Sequence, residues 1–141
     1  MHYTEEKIYI DSNIFIYPII YDHEFIEEAK RSENFLLEIA LGGIEAYTSS
    51  ITWDEVTWVV RKILGLNLSL DQGRKFLSFP NLKLIAIRRT TILKAQEIME
   101  KYKIKPRDSI HVAAALENNI KTLVSYDEDF DQVREIKRVE P

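Results

Sequence analysis

Short apolar runs alternate along this chain with longer stretches in which apolar residues recur every three or four positions. Lys7–Ile10, Ala46–Ser49, Leu82–Ile87 and Lys121–Ser125 are runs of strand type, and Glu135–Val139 reads as a short edge strand. Between them lie helical patterns. The first is short and apolar, from Asn13 to Ile20. The next spans Phe25–Leu41, with Phe25, Ile26, Ala29, Phe35, Leu36, Ile39 and Ala40 on one stripe and Gly42–Gly43 closing it. Trp53–Leu64 forms a third, ended at Gly65. Ser69 and Gln72 have the form of a capping box, opening a fourth helix that stops before Pro80. Thr91–Tyr102 and Pro106–Asn118 complete the set, with Pro106 suited to a first helical position. Strands separated by helices imply right-handed crossovers. The fold expected is a three-layer α/β/α arrangement around a mostly parallel sheet of four to five strands. No repeat, linker or low-complexity stretch interrupts it, and 141 residues suit one domain over residues 1–141.

Four acids stand where a strand should end or a helix begin: Asp11, Glu55, Asp108 and Asp127. In an open α/β sheet, residues beyond the carboxyl ends of the strands converge on one crevice. Carboxylates crowded there would repel one another unless a cation neutralised them. Their natural companion is Mg²⁺ or Mn²⁺.

Composition narrows the chemistry. The chain is 45% hydrophobic and 30% charged, the profile of a globular protein. No run approaches the roughly 20 apolar residues of a membrane helix. The start, MHYTEEK, has no apolar core of a leader peptide, so the cytoplasm is the expected location. With no cysteine, disulfides, thiolate zinc and a cysteine nucleophile are excluded. The net charge of −4 argues against broad electrostatic binding of nucleic acid, although a carboxylate cluster counts as negative until its metal arrives.

Each acid also has an ordinary structural explanation. Asp11, Ser12 and Asn13 are all good helix caps. Thr52 and Glu55 have capping-box spacing. Asp108 lies in a first turn, where the helix dipole favours an anion. Asp127 begins an acidic turn. His111, on an apolar helix three residues after Asp108, is expected to be a buried, hydrogen-bonded structural histidine. Lys101, Lys103, Lys105 and Arg107 are explained by a helix C-terminus that favours cations; alternatively Lys105 and Arg107 seat an RNA backbone. Tyr17, Tyr21, Trp53 and Trp58 are expected in core or interface. The weight comes from four acids at the right elements together.

These motifs resemble the PIN domain, in particular the VapC group of toxin–antitoxin ribonucleases and their archaeal relatives. Asp11-Ser12-Asn13 matches an Asp and small polar residues after strand one. Ser50 and Glu55 match a Ser/Thr placed before a helical Glu. Asp108-Ser-Ile-His111-Val-Ala113-Ala-Ala115 matches an Asp that opens an Ala-rich helix, and is the most specific piece. Ser125-Tyr-Asp127 with Phe130 matches the last motif, although Asp129 competes for the fourth place. The order holds over nearly the whole chain.

The resemblance implies a PIN-like fold and a metal-dependent endoribonuclease, the toxin of a toxin–antitoxin pair. It implies Asp11 and Asp108 as inner ligands of Mg²⁺ or Mn²⁺, with Glu55 and Asp127 as partial or water-mediated ones. Ser12, Asn13, Ser50, Ser125 and Asp129 would hold those ligands in orientation. It further implies an RNA substrate, an antitoxin protein as partner, and a homodimer to which the apolar Phe15–Tyr21 contributes. The alternatives are a PIN-like scaffold that binds RNA or protein, or a non-toxin RNA-processing nuclease. A haloacid-type phosphatase would need an acid where Asn13 stands, no Gly-rich phosphate loop follows strand one, and a receiver domain expects an acidic pair before strand one, where only Glu5-Glu6 stands near.

Overall fold

The computed structural model describes residues 6–141. Met1–Glu5, on which the expectation about a leader rests and which include His2, lie outside the described residues. Five strands form one parallel sheet: β1 (Lys7–Ile10), β2 (Glu45–Ser49), β3 (Leu82–Ile85), β4 (Thr122–Val124) and β5 (Lys137–Val139). Their spatial order is β3-β2-β1-β4-β5, with every neighbouring pair parallel. The chain steps outward from β1 to β3, then returns to the other side of β1. That reversal places the topological switch point between β1 and β4.

The helices are α1 (Ser12–Ile20), α2 (Glu27–Ala40), α3 (Ser50–Leu64), α4 (Leu66–Leu77), α5 (Arg89–Tyr102) and α6 (Pro106–Glu117). Successive strand residues point to opposite faces, and β1 shows what this does to the packing. Ile8 and Ile10 enter a core shared with Ile14, Phe15, Phe35, Ile39, Val56, Val60 and Phe76, so α1–α4 cover that face. Tyr9 enters the other core with Ile98, Val112, Ala114, Ala115 and Leu123, beneath α5 and α6. Ile8, Tyr9 and Ile10 are all fully buried. No helix among the described residues is long and apolar enough to cross a membrane.

Several local expectations give way to tertiary contacts. α3 begins at Ser50, not Trp53, so Thr52 and Glu55 both lie inside the helix and make no capping box. Thr52 instead shares a 2.7 Å hydroxyl contact with Thr48. α4 begins at Leu66, immediately after Gly65, so Ser69 is internal and its hydroxyl donates to the Thr57 carbonyl at 2.7 Å. Because α4 folds back on α3 this early, Trp53 and Trp58 line the groove between the two helices and remain 43% and 55% exposed. They are not core residues. Of the apolar stretch Phe15–Tyr21, Phe15 and Ile16 are buried, with Phe15 packed edge-on against Phe76 and Phe79, while Tyr17, Pro18, Ile19 and Ile20 are half-buried. Tyr17 stacks on Tyr126, and Tyr21 is exposed.

Gly65 makes the reversal possible. Its φ of 98° and ψ of 173° fall in a region open essentially to glycine alone. A Cβ there would meet nothing within 4 Å, so any penalty is purely conformational. Gly65→Ala should lower stability by about 1–3 kcal/mol in a denaturant melt, and an unchanged midpoint would refute the strained turn.

Candidate functional site

Strand register builds the site. Ile10 is paired with Val124, so the residues that follow, Asp11 and Ser125, leave the sheet side by side at the switch point. The Asp11 N–H donates to the Val124 carbonyl at 3.0 Å, and the Ser125 N–H to the Val139 carbonyl at 3.0 Å. These bonds extend the ladder by one residue and fix both side chains. Ser125 then donates its hydroxyl to Asp11 Oδ2 at 2.6 Å and accepts from Asn13 Nδ2 at 3.2 Å and from the Asp127 N–H at 2.9 Å. On the other side, Asp11 Oδ1 accepts the Ser12 N–H at 2.8 Å. Asp11 is therefore both the cap of α1 and a buried, oriented carboxylate. The ordinary explanation and the functional one coexist at this residue.

Glu55 projects from α3 and accepts from His111 Nε2 on α6 at 2.5 Å. That bond joins the two helical layers. His111 is fully buried, and its Nε2 also lies 3.5 Å from Asp11 Oδ1. It is the hydrogen-bonded buried histidine expected, but its partners are the candidate acids themselves. Asp108 stands in the first turn of α6, and its Oδ2 is buried with no hydrogen-bond partner. Asp127 caps a short 3-10 helix (Glu128–Gln132) and accepts the Asp129 N–H at 2.9 Å.

Five acids and His111 fall into two trios. Asp11, Glu55 and His111 form one, and Asp108, Asp127 and Asp129 the other; within each, one ligand atom per residue lies within 4.8 Å of the others. Glu55, Lys105, Pro106, Arg107, Asp108 and Asp127 line a cleft of about 630 Å³. Lys105 Nζ is 4.0 Å from Asp129, and Arg107 is 3.9 Å from Asp54, so both cations stay loosely held and exposed. Ser50 is exposed at the start of α3; its neighbour Ser49 is the buried one, tied to Tyr9 at 2.8 Å.

Electrostatics couple the trios. Burial first, then the charges of Asp11 and Asp127, push the Asp108 carboxyl up to about 7. Burial also raises Asp11, against the opposing pull of His111 and the Ser125 hydroxyl. Burial alone would disfavour a charged His111, but Tyr9, the bond to Glu55 and the Asp11 charge outweigh it and hold the imidazole well above its ordinary value. A buried, unpartnered carboxylate oxygen among mutually repelling acids is an unfavourable arrangement by itself. The donor set, oxygen-rich and hard, fits a divalent cation.

With this geometry in place, the known proteins it resembles can be set beside it. The PIN-domain family model matches residues 8–136. The chain belongs to the PIN-domain family. It is 24% identical over 141 residues to ribonuclease VapC2 of Methanocaldococcus jannaschii, covering 96% of this chain and 95% of that one. The VapBC2 structure from Rickettsia felis, bound to a promoter DNA fragment, aligns with a TM-score of 0.71 at 20% identity, over 95% of this chain and 98% of that one. VapC20 of Mycobacterium tuberculosis, a toxin that cleaves the sarcin-ricin loop, aligns with a TM-score of 0.75 at 13% identity, over 95% and 99%. At such identities the structures speak for a shared fold. Within this PIN domain, Tyr9 and Ser49 were not foreseen as parts of the site. The available signal was a tyrosine set between two isoleucines in β1.

The raised Asp108 carries a pH consequence. Folded Asp108 holds its proton more tightly than the unfolded chain, where the ordinary value is 3.8. Its contribution therefore favours the metal-free fold at low pH and declines as pH rises through the window from about 4 to 7. His111, raised above 6.5, adds the same sign only at the upper end. Metal-free protein should lose melting temperature across this window more steeply than Asp108→Asn. Parallel curves for the two would contradict the assignment.

Proposed function

We propose that this PIN domain is a metal-dependent endoribonuclease that hydrolyses RNA phosphodiester bonds, and that it serves as the toxin of a toxin–antitoxin pair. The observation that carries the reading is the unpartnered, buried Asp108 oxygen among coupled acids at the sheet's switch point. Family membership supports a nuclease, as does a relative named a ribonuclease over nearly its full length. The VapBC2 assembly of Rickettsia felis supports an antitoxin partner.

Asp11 and Asp108 are the residues we assign to hold Mg²⁺ or Mn²⁺ directly, with Glu55 and Asp127 contributing in part or through water and Asp129 beside Asp127. Bound there, the ion would lower the pKa of a coordinated water and stabilise charge on the phosphoryl oxygens. The chain's own groups do the rest. Ser125 and the Ser12 N–H hold the Asp11 carboxylate in one orientation. Asn13 and the Asp127 N–H hold Ser125 in turn. Lys105 and Arg107, at the rim of the same cleft, seat RNA phosphates, contacts that position a substrate without reading its sequence. The exposed apolar residues of α3 and α4, among them Trp58, Leu66, Leu70 and Leu77, supply surface for the antitoxin or for a second copy.

Purified protein should cut RNA with Mg²⁺ or Mn²⁺ and stop on addition of EDTA. Asp11→Asn and Asp108→Asn should each lower the rate by at least about 100-fold, the scale of losing a group that orients or stabilises the reacting atoms. Metal-free at neutral pH, both should keep or slightly raise their melting temperature, because removing one charge relieves the repelling cluster. Cleavage that persists in EDTA would sink the metal mechanism, and RNA binding without cleavage would favour a scaffold.

A further inference from the structure

Tyr9 is a fully buried residue on a strand face that otherwise meets Ile98, Val112, Leu123 and Phe130. Phenylalanine would suit those neighbours. Instead, the phenolic oxygen lies 2.8 Å from Ser49 Oγ and 2.6 Å from His111 Nδ1. The ring itself meets the imidazole edge-on at 5.5 Å. A buried hydroxyl is unfavourable unless bonded, and this one is bonded on both sides.

The donors can be assigned along the chain of bonds. Tyr9 donates its proton to Ser49, so its oxygen accepts from His111, and Nδ1 must carry a hydrogen. His111 then faces Glu55 through Nε2 at 2.5 Å, where the carboxylate accepts. Ser49, Tyr9, His111 and Glu55 thus form one continuous chain of bonds across β2, β1, α6 and α3, with the imidazole donating outward at both ends. Three of its four members are completely buried, which leaves the imidazole no freedom to turn.

We infer that Tyr9 is a positioning residue for Glu55, acting through His111. With a hydrogen on each ring nitrogen the imidazole donates at both ends, and by accepting from Nδ1 Tyr9 fixes the plane and orientation of the ring, hence the direction from which the Glu55 carboxylate is held. Groups behind a metal-binding side chain orient it and set its affinity. The inference rests on the metal-dependent reading above, because orientation of Glu55 matters to function only if Glu55 serves the cation.

The test is Mn²⁺ titration calorimetry on wild type, Tyr9→Phe, His111→Gln and His111→Asn, with RNA cleavage and thermal melts alongside. Gln places an amide near the Nε2 position and can still donate to Glu55; Asn places one near Nδ1 and reaches only Tyr9. Tyr9→Phe should weaken Mn²⁺ about 10-fold and lower kcat, with KM for RNA unchanged. His111→Gln should keep more Mn²⁺ affinity than His111→Asn, even where the two melt alike. If Tyr9→Phe only melts lower and binds Mn²⁺ like wild type, Tyr9 is structural and the inference fails. Equal affinities for the Gln and Asn variants would overturn it as well. A wild type that binds no Mn²⁺ would instead bring down the metal-dependent reading itself, and this inference with it.

Discussion

Like charge gathered in a poorly solvated place is the constraint that organises this molecule. Asp11, Glu55, Asp108, Asp127 and Asp129 come from separate parts of the chain to the carboxyl edge of a parallel sheet. Asp11 is almost fully buried there. Left alone, such a cluster resists folding, as the upward pressure on Asp108 and Asp11 records. The fold opposes that pressure with fixed dipoles and one buried imidazole. The Ser12 N–H and Ser125 hydroxyl serve Asp11, the Asp129 N–H serves Asp127, and His111 serves Glu55 and Asp11. Asp108 Oδ2 is buried and receives nothing. The protein prepares its own ligands but stops short of neutralising them.

The strand order explains why the acids meet at all. Because β1 lies between β2 and β4, the ends of three strands that are distant in sequence stand side by side. Asp11 and Ser125 are 114 residues apart in the chain yet adjacent through the register of β1 and β4. α6 delivers Asp108 and His111 from the opposite layer, and α3 delivers Glu55 from its own. The His111–Glu55 bond closes the two layers over the edge of the sheet, so a contact that serves the site also serves the packing.

Much of this was legible in the sequence, and the failures have physical causes. Period-2 and period-3.6 patterns located all five strands and six helices, because those patterns reflect which face is buried. Helix starts were less legible. Ser69–Gln72 and Thr52–Glu55 satisfy the local grammar of a capping box, yet both sit inside helices because the turn at Gly65 and the end of β2 decide where those helices begin. Asp11, Asp108 and Asp127 could be placed from their positions after strands or before helices. The relay through Tyr9 could not, because it depends on a strand and a helix 102 residues apart meeting in one core. Nor could sequence separate Asp127 from Asp129: a 3-10 turn brings both close to Asp108.

The central claim is that this carboxylate edge exists to hold a cation. Diffraction from crystals grown with MnCl₂, recorded for the anomalous signal of manganese, tests it without recourse to activity. The account predicts a strong peak bounded by Asp11 and Asp108, with oxygen ligands at roughly 2.0–2.2 Å, and its loss in Asp108→Asn. A cleft without manganese, with peaks only at exposed surface acids, would contradict it.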